Sequence, residues 1–158
     1  MKILLIEDSR FLRAAIERSL VKAGHEVTGM ADGREALLAA RSSSPAIIIL
    51  DMMLPGLDGT CVLKELKQDA STSHIPVIVL TGLSQKNETK LRKAGAAVYI
   101  EKSSLDLEKN ANVLVQAVAS VLGTSGKVQG TPGQQSTSDV DAGADKTRDR
   151  VGCSGGTA

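Results

Sequence analysis

No apolar stretch of the sequence approaches the roughly 20 residues that cross a bilayer, which excludes a membrane-spanning helix. The opening Met1-Lys2-Ile3-Leu4-Leu5-Ile6-Glu7-Asp8 is apolar too briefly, and turns acidic too soon, for a signal peptide. Both absences point to a chain that stays in the cytoplasm and does not insert into membranes. An excess of one charge is missing as well: 19 Lys and Arg against 18 Asp and Glu leave a net charge of +1. Binding a phosphate backbone needs a concentrated basic face, so nucleic acid is not an expected direct partner. Two cysteines, Cys61 and Cys153, have no companions at metal-ligand spacing and read as reduced thiols. Aromatic residues are nearly absent, one Tyr and one Phe with no Trp, which singles out Tyr99. No internal repeat is visible.

What is present suits one globular domain: 42% of 158 residues are hydrophobic and 23% charged. The organising stretch is Ala46-Ile47-Ile48-Ile49-Leu50-Asp51, five apolar residues running into a carboxylate. Without alternation it reads as a strand buried on both faces, as in parallel sheets. Met52-Met53-Leu54-Pro55-Gly56-Leu57-Asp58-Gly59 then turns the chain. Further strands are expected at Lys2–Ile6, Glu26–Met30, Ile75–Leu80 and Ala97–Ile100. Helices are expected from Ser9 to Gly24, from Asp32 to about Arg41, from Asp58 or Gly59 onward, from Ser84 to about Lys93, and from Leu105 to Leu122. Residues 124–158 are rich in Gly, Ser and Thr and contain no Leu, Ile or Phe. Such a segment buries too little to offset its ordering entropy, so a disordered tail is expected there.

Alternating strands and helices give a parallel sheet with right-handed crossovers and helices on both faces. The carboxyl ends of the strands then share one edge, where Glu7, Asp8, Asp51, Thr81 and Lys102 converge. Carboxylates about 4 Å apart repel by roughly 4 kcal/mol per pair at an effective dielectric near 20. A divalent cation relieves this, and oxygen ligands on a loop suit Mg²⁺. Mg²⁺, a carboxylate nucleophile, a hydroxyl and a lysine equip a site for phosphoryl transfer to Asp51.

With an acidic pair after the first strand, Asp after the third, Pro55-Gly56-Leu57-Asp58-Gly59 in its loop, Thr after the fourth and Lys after the fifth, residues 1–123 resemble a receiver domain of the two-component response regulators, similar to the single-domain chemotaxis regulators. The resemblance implies a flavodoxin-like, doubly wound α/β fold: a five-stranded parallel sheet of order 2-1-3-4-5 with five helices. It implies that Asp51 is the phosphoacceptor from a histidine kinase or phosphotransfer protein. It further implies that Asp8 and Asp51 ligate Mg²⁺ directly, Glu7 through water and Met53 through its carbonyl oxygen. Thr81 and Lys102 would bind the phosphoryl group, and Tyr99 would be the aromatic whose rotamer follows Thr81. A downstream target would meet the fourth helix, fifth strand and fifth helix. Such a chain is not an enzyme beyond catalysing its own phosphorylation and dephosphorylation. The pattern departs from the family at Ser103, where proline is usual, which puts the reach of Lys102 in question. Phe11 and Leu12, beyond the acidic pair, form a candidate contact for the phosphodonor. Three alternatives stay open: a receiver cut from a larger regulator, a phosphorylation-independent binding module, and an aspartyl-nucleophile phosphatase. The last would need an acid two residues after Asp51, where Met53 stands.

Overall fold

A computed structural model describes residues 1–82, 88–105 and 112–124 of the chain. Its elements run β1 (Lys2–Ile6), α1 (Arg10–Lys22), β2 (Glu26–Met30), α2 (Gly33–Ser43), β3 (Ile47–Asp51), α3 (Gly59–Gln68), β4 (Val77–Thr81), α4 (Glu88–Lys93), β5 (Val98–Glu101), a 3₁₀ turn over Lys102–Ser104, and α5 (Asn112–Thr124). All strand pairs are parallel, in the order β2-β1-β3-β4-β5. This is the doubly wound, flavodoxin-like architecture expected from the sequence.

Local chemistry sets the boundaries. Ser9, Asp32 and Asp58 cap α1, α2 and α3, each accepting from a backbone N–H of the first turn. Gly24 follows α1 with φ +88, the left-handed conformation that ends helices most easily when no Cβ is present. Ile3, Leu5, Ile47, Ile49, Ile78, Leu80 and Ile100 pack against Ile16 and Leu20 of α1 and Leu114, Val118 and Val121 of α5. Alternate residues Leu4, Ile6, Ile48, Leu50, Val77 and Val79 pack on the other face against α2, α3 and Leu91 of α4. Period-two alternation between two apolar layers is why β3 shows no polar residue before Asp51.

Several boundaries differ from the sequence-based expectations. β4 begins at Val77 because Pro76 has no N–H to donate, although its carbonyl still accepts from Ile48 at 3.0 Å. Ile75 instead closes a turn onto the carbonyl of Thr72. Leu105 is buried but not helical, and the chain after Glu101 turns as a 3₁₀ segment held by the Ser104 hydroxyl on the Glu101 carbonyl, at 2.6 Å. The first halves expected for the last two helices, 84–87 and 106–111, lie outside the described residues, as does the tail from 125 onward. Cys61 is not a free thiol, contrary to its sequence reading; spacing along the chain says nothing of pairing through space. Cys153 lies outside the described residues. No helix among the described residues is long and apolar enough to cross a membrane.

Candidate functional site at the carboxyl edge of the sheet

Asp51 and Thr81 are the last residues of β3 and β4, Glu7 directly follows β1, and Lys102 directly follows β5. The parallel sheet therefore delivers all four to one edge, as expected. Glu7, Asp51 and Thr81 are buried, Lys102 is half-buried and Asp8 is exposed. Carboxylate oxygens of Glu7, Asp8 and Asp51 lie within 4.8 Å of one another. The Lys102 ammonium sits among them, donating to Asp51 Oδ2 at 2.7 Å and Glu7 Oε1 at 3.1 Å. Ser103 therefore does not prevent Lys102 from reaching the acids.

Glu7 is held at several points. Its N–H donates to the Met30 carbonyl at 2.9 Å, and its Oε1 accepts from Ser9 N–H at 3.1 Å. Its Oε2 lies 2.9 Å from Lys102 Nζ but out of hydrogen-bonding alignment, which leaves a buried oxygen without a hydrogen bond. Burial, reinforced by the charge of Asp51, pushes the Glu7 carboxyl above the usual carboxylate value, although Lys102 and Ser9 pull the other way. Burial opposes the charge of Lys102, yet its hydrogen bonds to Asp51 and Glu7 outweigh that cost and raise its pKa.

One ammonium does not balance three carboxylates. An all-oxygen donor set, a buried carboxylate oxygen without a hydrogen bond, and an exposed Asp8 open to water fit a hard cation such as Mg²⁺, which keeps several of its waters. Met53 is exposed; its N–H donates to Asp51 Oδ1 at 3.1 Å, fixing one oxygen of that carboxylate. A cavity of about 800 Å³ opens beside the acids, its lining including Asp8, Thr81, Met52, Leu54, Leu57 and Leu91. Thr81 and Tyr99 lie on the same face of the sheet: Thr81 alternates with Val79, Tyr99 pairs with Val79 in register, and both Val79 and Tyr99 belong to the apolar layer shared with α2, α3 and α4.

Two residues shape the site through contacts that the sequence does not show. Arg13 reaches back from α1 to the Glu7 carbonyl, and periodicity marks it only as a polar helix position. Gly59 reads from the sequence as part of the turn or the first residue of the third helix, but a Cβ there would meet Met52 Cα at 2.5 Å and Asp51 O at 2.6 Å. The start of α3 therefore rests on the backbone of the Asp51 turn. Phe11 is exposed, as a docking contact requires, whereas Leu12 is half-buried against the α1–α5 layer.

Comparison with known proteins matches this arrangement. The family model described as "Response regulator receiver domain" covers residues 3–117. The polar-differentiation response regulator DivK of Brucella ovis is 37% identical over 102 residues, 63% of this chain and 82% of that protein. The receiver domain of the Francisella response regulator 1452 superposes with a TM-score of 0.70 at 28% identity, over 78% of this chain and 98% of that one. The receiver domain of a sensor histidine kinase from Pseudomonas aeruginosa, solved with a magnesium ion coordinated in its active-site cleft, gives 0.66 at 29% identity, over 77% and 97%. Three other curated relatives are longer, and the chain spans 15%, 44% and 33% of their lengths. Fold, acidic edge and sequence agree: the chain belongs to the response regulator receiver domains, the phosphoacceptor modules of two-component signalling.

Proposed function

We propose that Asp51 accepts a phosphoryl group from the phosphohistidine of a histidine kinase or phosphotransfer protein. The observation that carries this reading is the single ammonium of Lys102 bridging buried Asp51 and Glu7 at the sheet edge. When bound by Asp8, Asp51, the Met53 carbonyl and, through water, Glu7, Mg²⁺ would neutralise charge on the incoming phosphoryl oxygens. Asp51, oriented by the Met53 N–H, attacks phosphorus as the bond to the histidine nitrogen breaks. Lys102 transfers its contact from the carboxylate to a phosphoryl oxygen, and the Thr81 hydroxyl donates to another. Withdrawal of Thr81 toward the phosphate vacates space that Tyr99 follows, shifting populations on the face of α4, β5 and α5 where a downstream target binds. Hydrolysis of the aspartyl phosphate resets the state. The chain acts in the cytoplasm and catalyses only its own phosphorylation and dephosphorylation, with residues 1–123 as the receiver domain.

Acetyl phosphate with Mg²⁺ followed by intact-mass measurement tests this. Wild type is expected to gain one phosphoryl mass and Asp51→Asn none. A wild type that gains nothing at any Mg²⁺ concentration, or an Asp51→Asn variant that gains as much, overturns the proposal.

A further inference from the structure

The pairing of β1 ends at Ile6, opposite Met30 and Leu50, and beyond it the Glu7 N–H still donates to the Met30 carbonyl at 2.9 Å, so Asp8 lies past the end of the sheet ladder. Arg13, on the first turn of α1, reaches back to this segment. One of its guanidinium nitrogens, Nη1, donates to the Glu7 carbonyl at 2.7 Å and to the Asp8 carbonyl at 3.4 Å. The position of α1 that puts Arg13 there is itself fixed by Ser9, whose hydroxyl caps the helix and whose N–H holds Glu7 Oε1. On β2, Gly29 leaves room for the arginine stem: a Cβ there would come within 3.0 Å of Arg13 Cδ and would overlap the Glu17 carboxylate. Charge-assisted donation to a carbonyl is stronger than a neutral hydrogen bond.

We infer that Arg13 is a positioning residue for the acidic pair: by tethering the carbonyls of Glu7 and Asp8 it presents their carboxylates to the cation, and so sets Mg²⁺ affinity without touching Mg²⁺. The inference rests on the Mg²⁺-dependent reading above. Groups that orient metal ligands from behind typically change affinity about 10–100-fold when removed.

The test is calorimetric titration of Mg²⁺ into the full chain as wild type, Arg13→Ala and Arg13→Lys, beside thermal melts without Mg²⁺ and acetyl phosphate labelling at saturating Mg²⁺. Arg13→Ala is expected to bind Mg²⁺ about tenfold more weakly, Arg13→Lys to recover most of the loss because its ammonium can still donate to one carbonyl, and labelling to return when Mg²⁺ is raised. An Arg13→Ala protein that melts lower but binds Mg²⁺ as wild type does would reduce Arg13 to a structural prop and overturn the inference. Should that variant not fold, Arg13→Met keeps an unbranched apolar stem beside Gly29 and removes only the donors to the two carbonyls. About tenfold weaker binding is expected there, and unchanged binding overturns the inference. Wild type that binds no Mg²⁺ would instead bring down the reading of the site, a failure distinct from one confined to the Arg13 variants.

Discussion

Glu7 carries an electrostatic cost that a titration can expose. Its carboxyl is buried beside Asp51 and sits above the ordinary value of 4.5, so the folded chain holds this proton more tightly than the unfolded chain does. Below 4.5 the group is protonated in both states and the cost is absent. As pH rises through the raised folded value, the cost grows to its full size and the metal-free protein loses stability. Each unit of displacement corresponds to about 1.4 kcal/mol. Glu7→Gln removes the titrating group, so urea melts in EDTA between about pH 4 and about pH 8 should show a flatter profile for this variant and higher stability at the alkaline end. A variant whose profile runs parallel to wild type would place the cost elsewhere. This coupling was not legible in the sequence, where Glu7 and Lys102 stand 95 residues apart. The acidic pair was legible as a pair; the ammonium bridging it to Asp51 was not.

At the scale of elements, α3 is the part most closely fitted to the site. Asp58 caps it by accepting from Thr60 N–H at 2.9 Å, and Gly59 N–H donates to the Met52 carbonyl at 3.2 Å, so the helix starts directly on the Asp51 turn. The Cβ of an alanine at Gly59 would press on backbone, which cannot rotate away as a side chain can. Gly59→Ala should therefore cost about 1–3 kcal/mol in chemical denaturation and slow acetyl phosphate labelling of Asp51 by shifting the turn. Wild-type stability together with wild-type labelling would show that α3 can move away freely. The sequence correctly marked the cap and the start of this helix, because caps are local chemistry. It gave no hint that Gly59 touches β3, since that approach depends on the angle at which α3 crosses the sheet. In the same way, β4 starts two residues later than its apolar run suggests, because Ile75 has the character of a strand residue while its hydrogen bond goes to the preceding turn.

For the molecule as a whole, the consequence is linkage between the cation and folding. A ligand that binds only the folded state stabilises it by about 2.7 kcal/mol at one hundred times its dissociation constant. Mg²⁺ should raise the melting temperature of wild type by several degrees, whereas Asp8→Asn, which removes the exposed member of the acidic cluster, should show little of this shift. Equal shifts in both proteins would mean that the cation binds outside the cluster. The same measurement reports on the whole sheet, because the three carboxylates come together only when β1 and β3 are paired.

The sequence alone determined the order of elements, the parallel sheet and the identity of the edge residues. Apolar runs, caps and helix-ending glycines are short-range signals, and alternation of strand and helix leaves few topologies open. Only the tertiary structure decided that Lys102 reaches both Asp51 and Glu7, that Arg13 ties down the loop of the acids, and that Gly59 rests on the Asp51 turn. Each of these contacts depends on how strands and helices lie against one another in three dimensions, over distances of a few ångströms that spacing along the chain does not encode.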